Sequence, residues 1–221
     1  MFPGHPAPVS SLSASSIVQD LSNPCSLTTL PAMPNKARRT YHFERALFVV
    51  GEPNSGKSTQ IRSMFCDFRF GKDGKIPNER KLPDMLRLSN ERRLYLRITS
   101  PHENGESLEG FLDKTESKIN RHISHGMRWN LACPLQPNEA KLMPNAAQTV
   151  GAFIGRFSPE RTRVVFLNPD RHGAYLERNA HTDLVHGLRK LYSKTAVEIC
   201  WIDARNRTAN GLLLADFFDF T

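Results

Sequence analysis

From residue 41 onward, apolar residues gather into short continuous runs separated by segments of helical spacing. Five runs read as strands, over 46–50, 93–99, 129–133, 163–167 and 197–202. Each is rich in aliphatic and aromatic residues and bounded by turn formers, the pattern of strands buried on both faces. Helix-like segments lie between them, over about 57–67, 106–123, 144–156 and 177–192, with a closing helix over 208–218. In 106–123, Leu108, Phe111, Leu112, Ile119 and Ile123 keep to one face. Strands alternating with helices predict right-handed βαβ units, hence an α/β domain: a mostly parallel five-stranded sheet with helices on both faces. Ligands of such sheets bind beyond the carboxyl ends of the strands. The loops to inspect are therefore 51–58, 99–105, 168–172 and 203–207.

The first of these loops carries the most chemistry. The strand 46–50 runs into Gly51-Glu52-Pro53-Asn54-Ser55-Gly56-Lys57-Ser58-Thr59, the spacing G-x-x-x-x-G-K-S, and then into a stretch free of Gly and Pro. Gly51 and Gly56 allow the backbone to curl tightly around an anion. Loop amides, and those of a helix starting near Gly56, would point at that anion, aided by the positive end of the helix dipole. The stretch is similar to the phosphate-binding loop, or Walker A motif, of P-loop nucleoside triphosphatases. The resemblance is specific over about fourteen residues, so it implies a ligand class and a fold but no particular reaction. It implies that Lys57 contacts the β- and γ-phosphates, that Ser58 ligates Mg²⁺, and that residues 51–59 bind the nucleotide.

That resemblance also implies an acid at the end of an apolar strand, and here the sequence departs from a clean pattern. Glu103 lies four residues beyond Thr99, Asp170 two beyond Asn168, and Asp203 directly follows the fifth strand. Glu103 and Asp170 rank above Asp203, because a final strand is an unusual place for this role. Asn168-Pro169-Asp170 stands where small GTPases carry N-K-x-D, but the Lys is absent and the Asp comes one residue early. ATP is therefore expected over GTP. The expected activity is Mg²⁺-dependent ATP hydrolysis, slow and controlled by a partner. Lys57 would stabilise phosphate charge, Glu103 or Asp170 would orient water, and Arg171 would complete the site. One alternative is a P-loop kinase acting on a nucleotide or small molecule, with Arg156, Arg161, Arg171 and Arg178 flanking the fourth strand. Another is a weakly hydrolysing, nucleotide-gated interaction module.

Composition adds partners and boundaries. The net charge is +8, and residues 62–97 hold ten Lys or Arg against five acids. A basic segment near a nucleotide site suggests a nucleic acid or an acidic protein partner, with a solvated loop as the plain alternative. The four cysteines form no C-x-x-C pair, which favours free thiols in a reducing, cytoplasmic setting over disulfides or zinc. No apolar run approaches the ~18 residues of a membrane span. Residues 1–36 contain six Pro and a single acid, Asp20. The expectation is a flexible tail over 1–40, with the apolar stretch 16–21 as a partner-binding candidate, followed by one domain over 41–221. Phe217, Phe218 and Phe220 are expected to pack the closing helix onto the sheet.

Overall fold

The computed structural model describes residues 41–71, 73–79, 81–122, 128–191 and 196–218. The tail 1–40, with its 16–21 stretch and Cys25, lies outside the described residues, as do Phe220 and Ile123. The described chain runs β1 (His42–Val50), α1 (Lys57–Ser63) with a 3₁₀ turn (Met64–Cys66), β2 (Met85–Arg87), β3 (Arg92–Leu96) and α2 (Leu108–Arg121). It continues through β4 (Arg128–Leu135), α3 (Ala146–Phe157), β5 (Arg161–Leu167), α4 (Arg178–Arg189), β6 (Ala196–Ile202) and α5 (Arg207–Asp216).

These strands form a six-stranded sheet in the order β2-β3-β4-β1-β5-β6. All neighbours are parallel except β2 and β3. The architecture is thus α/β and mostly parallel, with one strand more than the sequence pattern predicts. The extra strand is β2, inside the long connection between α1 and β3. It is three residues long and only half-buried at the sheet edge, too short and too exposed to leave an apolar run. The antiparallel turn after it is closed by Leu88 N donating to the Arg92 carbonyl at 3.0 Å.

Side chains alternate across β1 and build two cores. Ala46, Phe48 and Val50 face α2, α3 and α4, where Phe111, Phe153 and Leu188 pack. Leu47 and Val49 face α1 and α5, where Ile61, Met64 and Leu214 pack. Helices therefore cover both faces, and Phe217 and Phe218 are buried in the second core as expected. Two helices, α2 and α3, start on side-chain caps: Ser107 Oγ accepts from Gly110 N at 3.1 Å, and Asn145 Oδ1 from Gln148 N at 3.0 Å.

β1 is central, and its flanking connections leave in opposite directions. The chain after β1 crosses to the α1 face, while the chains after β4 and β5 cross to the other. This split opens a crevice at the carboxyl end of β1. The loop 51–56 lies in it. No helix of the described residues is long and apolar enough to cross a membrane.

Candidate functional site

The loop between β1 and α1 is tied down by its own backbone. Gly51 N donates to the Leu135 carbonyl at 3.2 Å, Ser55 N to the Glu52 carbonyl at 3.1 Å, and Gln60 N to the Gly56 carbonyl at 3.0 Å. A Cβ on Gly51 would lie 2.4 Å from Ser55 Oγ, so any larger residue there would have to turn that hydroxyl aside. Gly56 sits at φ 101°, a left-handed conformation that costs glycine little. Asn54, at φ 62°, is the side chain that tolerates this region best. Pro53 and Asn54 are exposed at the tip.

Lys57 is the first residue of α1, and its side chain is 4% exposed. Its ammonium donates to the Glu52 carbonyl at 2.7 Å and lies 3.5 Å from Glu103 Oε1. Burial pulls the lysine below its usual pKa, while Glu103 and Glu52 act the other way. Glu52 is shifted up by burial, against the attraction of Lys57. The Ser55 hydroxyl is buried and makes no hydrogen bond to any described residue. A cleft of about 150 Å³ opens over this loop, lined among others by Gly56, Lys57, Ser58, Glu103, Pro134 and Arg171.

Three loops that are distant in sequence thus meet. Glu103 arrives from the loop after β3, and Arg171 from the loop after β5. Arg171 N donates to the Ser55 carbonyl at 3.1 Å, and its side chain lies against Gly56, where an added Cβ would come within 3.2 Å of Arg171 Cβ. Thr59 continues the first helical turn beside Ser58.

Asp170 is not brought into this cleft. Its Oδ1 accepts from His172 N at 2.7 Å and Ala174 N at 2.9 Å, closing its own turn. It lines instead a neighbouring cavity of about 40 Å³ with Glu52, Ser55 and Tyr175. Asp203 is engaged by Arg205 at 2.6 Å, whose guanidinium holds the carboxyl down to about 2. Of the arginines around β5, Arg156 is committed to Glu109, Asp113 and Glu116, and Arg161 to Glu198. Arg171 alone of the four lines the cleft.

The basic segment 62–97 also looks different folded. Arg69 pairs with Asp67 at 2.6 Å, Arg92 with Glu44 at 2.8 Å, and Arg97 with Glu106 at 2.8 Å. Lys72 and Arg80 lie outside the described residues. The segment's free positive field is therefore smaller than its composition implies.

The roles of two residues at the site escaped the sequence reading. Gln60 is fully buried; its amide donates to the Ala204 carbonyl at 2.6 Å and accepts from Asn210 Nδ2 at 2.9 Å, locking α1 to α5. Its signal was the spacing 57, 60, 61, 64, which sets it on the buried face of α1. His102 is 1% exposed between the β3 and β4 loops, with Nε2 2.9 Å from the Pro144 carbonyl. No local pattern announces that contact.

Among the described residues, no three His, Cys, Asp or Glu side chains gather to hold a metal ion. The glycine cradle, the orphaned Ser55 hydroxyl and the Ser58 side chain fit a different arrangement, in which a magnesium ion takes few protein ligands and completes its shell from phosphate oxygens and water. Comparison of the chain with protein-family models, with curated proteins and with solved structures finds no match in any of the three.

Proposed function

We propose that this chain is a P-loop nucleoside triphosphatase that binds Mg²⁺-ATP at residues 51–59 and hydrolyses the β–γ phosphoanhydride bond. The observation that carries the reading is Lys57, a buried ammonium at the start of α1, inside a glycine turn at the carboxyl end of the central strand. Burying such a group is costly unless counter-charge is supplied. In the free protein a carbonyl and one half-exposed carboxylate supply it. A triphosphate supplies far more.

In this reading the loop amides and Lys57 bind the β- and γ-phosphates. Ser58 would hold Mg²⁺, which supplies neutralisation of charge on the phosphate oxygens. Glu103 accepts a hydrogen bond from the attacking water and orients it towards the γ-phosphorus. The new P–O bond forms as the bond to the bridging oxygen breaks, releasing ADP and phosphate. Arg171 stabilises charge on the transferring group. Adenine is preferred over guanine because Asp170 closes its own turn and Asn168 Oδ1 accepts from Leu176 N at 3.1 Å, leaving neither committed to a base.

One observation favours a second reading, the nucleotide-gated module with little hydrolysis. β4, the neighbour of β1, ends in Pro134-Leu135-Gln136 without an acid, so among the described residues the only carboxylate facing Lys57 from a neighbouring loop comes from one strand further away. The deciding experiment is phosphate release from ATP and GTP by the wild type and Lys57→Ala, with and without DNA and RNA. Lys57-dependent release from ATP supports the hydrolase, and stimulation by nucleic acid would assign the basic segment. Tight Lys57-dependent binding without release leaves the gated module.

A further inference from the structure

Glu103 sits at the exposed tip of a loop that is otherwise largely buried, and that loop is fastened at its base, in its middle and to its neighbour. At the base, the Arg97 guanidinium forks onto Glu106 at 2.8 and 3.1 Å, and both side chains are 7% exposed. The fork also lies over the Phe111 ring, 5.3 Å from its centroid. Inside the loop, Asn104 N donates to the Ser100 carbonyl at 3.1 Å and Glu106 N to the Pro101 carbonyl at 3.0 Å. In the middle stands His102. Its Nε2 lies 2.9 Å from the Pro144 carbonyl, and its Nδ1 faces Ser100 Oγ at 3.3 Å and Gln136 N at 3.5 Å.

Those contacts assign a tautomer. A carbonyl only accepts, so Nε2 carries the proton, and Nδ1 is the acceptor for the hydroxyl and the amide. Burial holds the imidazole below its usual pKa, and Lys57 nearby acts in the same direction. The ring is therefore a neutral, fixed peg between the loops after β3 and β4. Glu103, the next residue, is carried by that peg.

We propose that His102 is a positioning residue for Glu103: by bridging the two loops, with the Arg97–Glu106 fork closing the base, it holds the Glu103 carboxylate over Lys57. The geometry stands without a nucleotide, while the catalytic consequence rests on the proposed hydrolysis.

The test is a double-mutant cycle in the full chain: His102→Ala, Glu103→Gln and both together, with His102→Gln as the conservative rescue. Two readouts are used. Without nucleotide, the ¹⁵N shift of the Lys57 ammonium at one pH reports the Glu103 contact. With ATP, kcat and KM report its use. His102→Ala is expected to move the ammonium shift in the same direction as Glu103→Gln, and to lower kcat by about ten- to a hundredfold, as misplacement of a catalytic group does. KM should not rise, because the carboxylate moved off Lys57 competes with phosphate in the ground state and its displacement does not weaken binding. Neither effect should deepen when His102→Ala is added to Glu103→Gln, since residues acting through one contact are non-additive. His102→Gln, whose amide can still donate to the Pro144 carbonyl, should recover part of both.

Additive losses, or an unmoved ammonium shift in folded His102→Ala, would overturn the proposal. Should His102→Ala fail to fold, Glu106→Gln loosens the other fastening of the same loop and is read in the same cycle. A wild type without ATP turnover would remove the hydrolase reading, and the ammonium shift would still decide the positioning role.

Discussion

On the proposed function, Glu103→Gln should separate binding from turnover at this site. The substitution keeps shape and removes one negative charge 3.5 Å from the Lys57 ammonium. Two unit charges at that distance attract by about 1 kcal/mol with water-like screening and about 5 kcal/mol at an effective dielectric of ~20. Lys57 is buried, but the Glu103 side chain is 40% exposed, so solvent screening places the contact near the lower end, at about 1–2 kcal/mol. If the loop takes a triphosphate as proposed, this carboxylate competes with phosphate for the ammonium and repels the incoming anion. Its neutralisation should therefore tighten binding of Mg²⁺-ADP and of a non-hydrolysable ATP analogue by roughly five- to thirtyfold. Turnover should fall by about 10²-fold or more, because the water loses its acceptor. Calorimetric titration measures the first effect and phosphate release the second. The gain in affinity should shrink at high salt and vanish in a Lys57→Ala background. Weaker or unchanged nucleotide binding in Glu103→Gln would refute the competition argument.

Three further predictions concern the scaffold. Phe153 is fully buried, its ring centroid 4.6–5.3 Å from those of Phe157, Phe43 and Phe48, so Phe153→Ala should cost about 3–5 kcal/mol in urea unfolding; a loss below about 1 kcal/mol would mean the site collapses. At Gly211, an added Cβ would lie 2.0 Å from the Ser63 carbonyl oxygen, so Gly211→Ala should push α5 off α1 and destabilise by about 1–3 kcal/mol, read as a lower Tm; an unchanged Tm would contradict that contact. Burial raises the Glu106 carboxyl, but the Arg97 fork and Lys114 outweigh it and hold the group below its usual range. A depressed carboxyl stabilises the fold above its unfolded value of about 4.3, and that stability is lost as pH falls through the folded value. Glu106→Gln should therefore flatten the acid limb of the stability profile, and a profile parallel to the wild type below about pH 4.5 would count against it.

The alternation of strands and helices was legible because a central parallel strand must be apolar on both faces. Two strand starts were misplaced where charges enter strands. β1 begins at His42 rather than 46, because buried Glu44 pairs with Arg92 at 2.8 Å and Arg45 donates to the Phe217 carbonyl. β5 begins at Arg161 rather than 163, because Arg161 and Arg163 share Glu198 on β6. Each charge reads as a boundary until its partner is known, and the partner lies far along the chain, in another strand or just past α5. The same distinction divides the site. Residues 51–59 are contiguous and could be read as one pattern, and Glu103 followed from the rule about strand ends. His102 with Pro144, and Gln60 with Asn210, are separated by 42 and 150 residues, so no window along the chain contains both members.

The position of Glu103 carries a consequence for how the site can be tuned. An acid at the end of β4 would be fixed by the sheet ladder itself, one strand from the glycine loop. Glu103 is instead two strands away, and it reaches Lys57 only because the loop 97–106 is closed by Arg97–Glu106 and pinned by His102. The glycine loop rests on different supports: Gly51 on the Leu135 carbonyl, and α1 on α5 through Gln60 and Asn210. Two sets of supports imply two separable responses. Changes at Arg97, His102 or Glu106 should lower turnover without weakening affinity, whereas changes at Gln60 or Asn210 should weaken nucleotide binding first. A protein surface that seated itself on the 100–106 loop would act on the first set alone. It could change turnover without contacting the nucleotide.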